Sequence, residues 1–263
     1  MAETYTPGYS VNATSFMAKR TADCHAAFFK PYLHSGMKLL DCGCGPGSIT
    51  LDFAHIVAPE IVSAVDRELS QVNVACATAV AQGIANIHFQ VGTIYDLPFP
   101  DHCFDAAFAH AVLEHLQDPI AGLRELLRIL KPGGVVGVRS PDWGGFLIDP
   151  YNAALDEVFT YYRLLQQRNG GDLSIGRHLR TLLREAGFIH IKASASYECY
   201  EPVNTITEYL ALRIEASETL DPTVLEKWTG SSPTLLSQTL RQWSQLNDVF
   251  FAQSWCECIG FKA

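Results

Sequence analysis

The chain has 263 residues, 48% hydrophobic and 18% charged, which supplies a packed globular core and excludes a disordered, charge-dominated polymer. A formal charge of −9 disfavours nucleic acid as a partner, because phosphate contacts need clustered Lys and Arg. No apolar run reaches the roughly 18 residues of a membrane span, and no basic, apolar, small-residue leader opens the chain, so no membrane insertion and a cytoplasmic location are expected.

Residues 11–33 read as a helix carrying Phe16, Phe28, Phe29 and Leu33, closed by Gly36. From residue 37 to 140 short apolar runs (37–41, 61–66, 87–91, 104–108 and 135–139) alternate with helical stretches such as 69–82 and 119–130. That alternation predicts βαβ units and a parallel sheet covered on both faces. Residues 149–167 then predict an aromatic-rich helix, 168–171 a turn, 176–186 a helix and 188–195 a strand. Across 205–246 three helical stretches are broken by the turn signals Asp221-Pro222 and 230–233, and 249–261 predicts a last strand, antiparallel beside 188–195. The division expected is an N-terminal helical cap (1–36), an α/β core (37–148), a helical lid (149–175), a continuation of the core (176–200), a helical insertion (201–247) and the terminal strand of the core (248–263). The insertion either widens the cap or makes a homodimer contact.

The eight cysteines carry no disulfide or metal pattern: the closest pairs, Cys42/Cys44 and Cys256/Cys258, have one residue between them where zinc sites usually have about two to four. Reduced thiols and no metal are expected.

The strongest local signal is Leu39-Leu40-Asp41-Cys42-Gly43-Cys44-Gly45-Pro46-Gly47, where the first strand turns into a helix. Glycines there let a ligand approach the backbone, at the sheet edge where open α/β sheets bind ligands. The spacing is Gly-x-Gly-x-Gly, not the Gly-x-Gly-x-x-Gly of dinucleotide sites. Asp41 would repel a pyrophosphate but suits the ammonium of an amino-acid moiety. Nineteen residues after Gly47, Asp66 ends the second strand, placed to accept ribose hydroxyls; taken alone, a helix-capping role is its alternative.

With Asp41-x-Gly43-x-Gly45-Pro46-Gly47, Asp66, Leu97-Pro98-Phe99-Pro100-Asp101-x-x-Phe104-Asp105, the stretch 110–119, Leu130-Lys131-Pro132-Gly133-Gly134 and Glu185-Ala186-Gly187-Phe188 in order, residues 38–188 resemble the class I methyltransferases, in particular the small-molecule branch of the ubiquinone and menaquinone methyltransferases. The resemblance implies a doubly wound α/β fold with a seven-stranded, mostly parallel sheet, its last strand antiparallel, and helical cap insertions. It implies S-adenosyl-L-methionine as cofactor and a small organic molecule as methyl acceptor. By the same resemblance Asp41, Gly43, Cys44, Gly45 and Gly47 hold the methionine part, Asp66 with its neighbour Arg67 the ribose, and the 92–94 turn, with Thr93 and Ile94, the adenine. Thr93 departs from the family, which usually carries Asp there; a hydroxyl still accepts a hydrogen bond, without the charge.

His110, at the carboxyl end of the fourth strand, is the candidate for touching cofactor or acting as a base. His115 is a candidate substrate contact whose alternative is packing at a helix start. Tyr9, Trp143, Tyr161 and Tyr162 are candidate walls of an apolar acceptor pocket, with core packing as the alternative for the aromatic helix, and Arg177 is a candidate to meet an anionic group on the acceptor, with a solvated or capping role as the favoured alternative. Two other functions stay open: a fold relative that binds the cofactor without transferring methyl, and an NAD-dependent oxidoreductase, which the glycine spacing disfavours.

Overall fold

The computed structural model describes Tyr5, Thr6, residues 8–220, Val224 and residues 228–263. Where one helix was expected over 11–33, the chain makes α1 (Val11–Met17), α2 (Ala22–His25) and a 3-10 turn (Lys30–Tyr32). The break has a local cause. Thr21 adopts extended backbone and its hydroxyl accepts from the Cys24 N–H, so it caps a new helix instead of continuing the old one.

The sheet is built from β1 (Leu39–Cys42), β2 (Val62–Asp66), β3 (Ile87–Val91), β4 (Phe104–His110), β5 (Leu130–Pro141), β6 (Leu147–Asp149), β7 (Ile189–Cys199) and β8 (Phe250–Phe261). Its order is β3-β2-β1-β4-β5-β8, with β6 and β7 both on β8. The pairs from β3 to β5 are parallel, and β8 runs antiparallel between β5 and β7. Among the described residues eight strands stand where seven were expected. The additional one, β6, pairs with Phe250–Ala252 just beyond the point where Pro141 of β5 faces Trp255, so it resumes the lane of β5 after a turn. In that turn Asp142 accepts the Gly144 N–H on its side chain and the Gly145 N–H on its carbonyl. The expected helix start at Asp149 therefore falls in β6.

Side-chain alternation on the strands separates two layers. Leu39, Ala106 and Phe108 pack with Phe29 and with Phe53 of α3 (Ser48–Val57) on one face. Leu40, Ala107 and Val136 pack with Leu123 of α5 (Pro119–Ile129) and Leu183 of α7 (Leu179–Ala186) on the other. A third cluster builds the cap: α6 (Ala153–Arg168), α8 (Asn204–Leu220) and α9 (Pro233–Trp243) share a core with Ala13 and Met17 of α1. The expected break at Asp221-Pro222 lies outside the described residues. Between β2 and β3 runs α4 (Leu69–Gln82). Because consecutive strands step outward from β1 to β3 and then back to β4, the chain reverses between β1 and β4. Open sheets of this kind carry their ligand crevice there, beyond the strand carboxyl ends.

Candidate active site

At that reversal the loop after β1 takes three left-handed glycines, with φ +80° at Gly43, +52° at Gly45 and +82° at Gly47. The Gly43 and Cys44 amides donate to the Val65 carbonyl at 2.7 and 3.1 Å, which ties the loop to β2. A Cβ on Gly43 would sit 2.2 Å from Val112 Cγ2. The Gly43→Ala variant therefore meets both a left-handed backbone and a clash, expected to cost about 2 kcal/mol, or roughly 4–8 °C in thermal midpoint for a chain of this size. An unchanged melting curve would show that the loop can yield.

The loop, β2 and the 92–94 turn form one wall of a cleft with about 980 Å³ of space, its open mouth included. Asp66 sits at the end of β2, where Oδ2 accepts from the Gly45 N–H at 2.8 Å and Oδ1 from the Glu68 N–H at 2.9 Å. Burial pushes its pKa up, and those two amides pull the other way. Asp41 is buried under the loop and accepts from the Thr50 hydroxyl at 2.6 Å. Burial pushes its carboxyl up to about 7, against the lowering effect of that hydroxyl. Arg67, Thr93 and Ile94 line the same cleft. Thr93 Oγ1 already accepts from the Tyr95 N–H at 3.3 Å, which leaves it a second lone pair.

The opposite wall comes from the end of β4 and from the N-terminal segment. Ala111 holds φ +56°, a left-handed conformation at a residue with a Cβ, and its N–H donates to the Arg139 carbonyl at 2.9 Å. This bend carries a 3-10 turn (Leu113–His115) back toward the glycine loop. His110 lines the cleft, and neither ring nitrogen has a hydrogen-bond partner among the described residues. Burial, then the neighbouring Arg20 and Arg139 charges, hold its pKa well below the usual histidine range, with the Arg139 backbone opposing, which favours the neutral ring. His115 also lines the cleft; its Nδ1 accepts from Gln166 Nε2 at 2.8 Å, and the Tyr5 ring lies edge-on 4.5 Å away. Tyr9 stacks on Tyr5 at 5.1 Å and completes the aromatic rim.

The predicted residues thus fall into two groups. Asp41, Gly43, Cys44, Gly45, Asp66, Arg67, Thr93, Ile94, His110, Tyr9 and His115 converge on the cleft. Gly47 is the left-handed cap of α3, packed so closely that a Cβ would lie 2.8 Å from that of Ala75. Trp143, Tyr161, Tyr162 and Arg177 do not line it. Trp143 and Tyr162 pack ring to ring at 5.0 Å inside the cap core, and Tyr161 shares a hydrogen bond of 2.6 Å with Ser217. Arg177 grips Asp142 with both arms, at 2.8 and 2.6 Å. Met17, Arg20 and Gln71 line the cleft without having been singled out from sequence. Arg20 is the notable one, since its guanidinium makes no hydrogen bond or ion pair with a described residue.

A glycine loop thus stands at the switch point of an open α/β sheet, with the carboxylates of Asp41 and Asp66 on two adjacent strands beside it. A methyltransferase domain matches residues 33–187. The chain is 32% identical over 214 residues to an uncharacterized methyltransferase of Schizosaccharomyces pombe, covering 75% of each. It is 30% identical over 189 residues to the ubiquinone/menaquinone biosynthesis C-methyltransferase UbiE of Vibrio campbellii, covering 65% of this chain and 70% of that one. Among solved structures, the YcgJ protein of Bacillus subtilis superposes with a TM-score of 0.61 at 20% identity, over 90% of this chain and 97% of that one. Haemonchus contortus phosphoethanolamine N-methyltransferase 2, in complex with S-adenosylhomocysteine, superposes at 0.58 and 20% identity, over 91% of this chain and 52% of that one.

The chain belongs to the methyltransferase domain family. It is an S-adenosyl-L-methionine-dependent methyltransferase. The cleft fits that cofactor: Gly45 opens onto space where a Cβ would point, and the Arg20 cation lines the cleft without a hydrogen bond to a described residue. When bound, the cofactor supplies a methyl group on a sulfonium. Among the described residues no helix is long and apolar enough to cross a membrane, and no cluster of three His, Cys, Asp or Glu is placed to hold a metal.

Proposed function

We propose that the chain methylates a small organic acceptor, one acceptor molecule at a time, in the cleft between the glycine loop and the N-terminal segment. In this reading Asp66 accepts the ribose hydroxyls, Thr93 and Ile94 meet the adenine, Asp41 faces the cofactor's ammonium and Arg20 its carboxylate. Tyr5, Tyr9 and Met17 close the mouth and exclude water. Displacement at a sulfonium needs alignment more than it needs a strong base. His110 is suited to that: uncharged and buried, it offers one N–H and one lone pair to an acceptor's hydroxyl or amino group.

The observation that carries this reading is His110 itself, a buried side chain lining the cleft beside the glycine loop and Asp66, with neither ring nitrogen in a well-formed hydrogen bond to a described residue. The formal charge of −9 supports a small molecule over nucleic acid, and a soluble, cytoplasmic enzyme is the matching proposal for location. Of the two uses expected for the helical insertion, the cluster that α8 and α9 share with α6 supports the one in which it widens the cap. A homodimer through its outer face is the remaining use for it.

The test is transfer of labelled methyl to a metabolite extract, followed by His110→Ala on the acceptor so found. Turnover should fall about a hundredfold, in the range for a positioned proton acceptor, while S-adenosylhomocysteine affinity stays within threefold. Parallel losses of both would move His110 to the cofactor, and binding without any transfer would mark a non-methylating relative.

A further inference from the structure

His115 closes the 3-10 turn that follows β4, and Gln166 of α6 reaches it from the cap. Gln166 is buried, with Nε2 2.7 Å from the Glu114 carbonyl oxygen and 2.8 Å from His115 Nδ1. A carbonyl oxygen only accepts, so the amide must turn its nitrogen to that point; the opposite orientation would set two oxygens against each other. The arrangement has a cost. It leaves Gln166 Oε1 buried without a hydrogen-bond partner among the described residues. Close packing holds the amide there: a Cβ on Gly171 would lie 2.5 Å from Gln166 Nε2 and 2.2 Å from the Glu114 oxygen, and the Gly171 N–H donates to the Gln166 carbonyl at 3.0 Å.

An amide nitrogen with two hydrogens has one for each neighbour. Nδ1 of His115 therefore accepts, and since a neutral imidazole carries one proton, that proton is on Nε2. Burial, then the charges of Arg20 and Arg67, push the His115 pKa down to about 3, so the ring takes up no second proton near neutrality. Nε2 lies 3.8 Å from Glu114 Oε1, beyond hydrogen-bond reach, and the side chain keeps 13% of its surface open where it lines the cleft. His115 thus differs from His110 in the same cleft. Its Nδ1 lone pair is taken, so it has a donor to offer and no base.

We infer that Gln166 is a positioning residue: it holds His115 as an N–H donor that receives a lone pair of the methyl acceptor, on a carbonyl or hydroxyl oxygen, and removes no proton from it. Any proton the acceptor loses then goes to His110 or to water. The inference rests on the methyltransferase reading for what fills the cleft.

A long-range proton–nitrogen spectrum of the histidine rings reads the tautomer directly, because protonated and bare ring nitrogens resonate far apart; His115→Gln identifies the His115 signals by their loss. With and without S-adenosylhomocysteine, the parent should show Nδ1 bare and Nε2 protonated. Gln166→Glu inverts the pattern at nearly constant shape. Its unionised carboxyl gives the O–H to the Glu114 carbonyl and a lone pair to the imidazole, and an ionised one accepts as well, so Nδ1 should gain a proton. Nδ1 protonated in the parent, or bare in Gln166→Glu, overturns the inference, and the parent spectrum alone decides if that variant does not fold.

Transfer of labelled methyl to the acceptor found in the extract then tests the donor. His115→Phe, which keeps a ring without the N–H, should raise KM about tenfold, the size of one lost hydrogen bond. His115→Gln, a donor without basicity, should stay within about threefold of the parent, with S-adenosylhomocysteine affinity within about twofold in both variants. An unchanged KM in His115→Phe, a His115→Gln no better than His115→Phe, or a parallel loss of S-adenosylhomocysteine affinity overturns the donor role. A parent chain that fails to bind S-adenosylhomocysteine overturns the reading beneath it, while the ring spectra still decide the tautomer.

Discussion

Replacing Asp66 by alanine is expected to weaken S-adenosylhomocysteine binding by about 2–3 kcal/mol, roughly 30- to 150-fold, with the fold retained. The size follows from two contributions. The carboxylate at the tip of β2 is the acceptor for ribose hydroxyls in the proposed site, and hydrogen bonds to a charged acceptor are worth more than neutral ones. It also accepts the Gly45 N–H, so its loss frees the loop that cradles the methionine arm. Stability should move far less, because Asp66 is buried and its charge is already costly, as its raised pKa shows. Losing that charge offsets the two lost amide bonds. Asp66→Asn separates the contributions: one oxygen still accepts from Gly45, while the amide end donates where a hydroxyl also donates. It should bind with intermediate affinity. Calorimetry on the three proteins at one salt concentration reads the series, and equal affinities would remove Asp66 from the site.

How far the sequence reaches is clearest at this loop. Apolar alternation from residue 37 to 140 and the run from Asp41 to Gly47 are local patterns with local causes, strand pleat and left-handed turns, and the structure places them as expected. The breaks in the N-terminal helix were less legible, because Thr21 reads as a tolerable helix residue until its hydroxyl is seen capping Cys24. β6 was invisible for another reason: three residues carry no period, and their pairing depends on a partner about a hundred positions away. The acceptor pocket is the hardest case. Trp143, Tyr161 and Tyr162 have the composition of a ligand box, but Trp143 packs on Phe159 and Tyr162 and Tyr161 bonds Ser217 of α8, and aromatic residues at helical spacing do not announce which side is dry. Arg20, conversely, looks like a solvated cation beside Lys19 until the fold turns it over the cleft.

Cofactor affinity is expected to rise with pH up to about neutrality and then level off, and Asp41→Asn should flatten the profile. Asp41 lies under the glycine loop with its carboxyl pushed up to about 7 by burial, the Thr50 hydroxyl opposing and the Asp66 charge adding to the rise. An unfolded Asp titrates near 4. The folded state therefore holds more protons than the unfolded state between about 4 and 7, so Asp41's contribution to stability is largest at the acid end and is lost as pH climbs through 7. Glu114, buried against Ser140 and also pushed up to about 7 by burial, contributes in the same direction. Binding reverses the balance at Asp41 alone. A cofactor ammonium beside it favours the ionised form, so the complex has a lower pKa and binding below neutrality must release a proton. Affinity then gains up to about tenfold per pH unit in that interval and nothing above it. Calorimetry in two buffers of different ionisation enthalpy at pH 6 counts the proton directly: about one for the parent chain, near zero for Asp41→Asn. Because Glu114 lies outside the cleft lining, its pH-dependent stability persists in the variant. A pH-independent affinity in the parent would place the ammonium elsewhere and leave Asp41 as a support for Thr50.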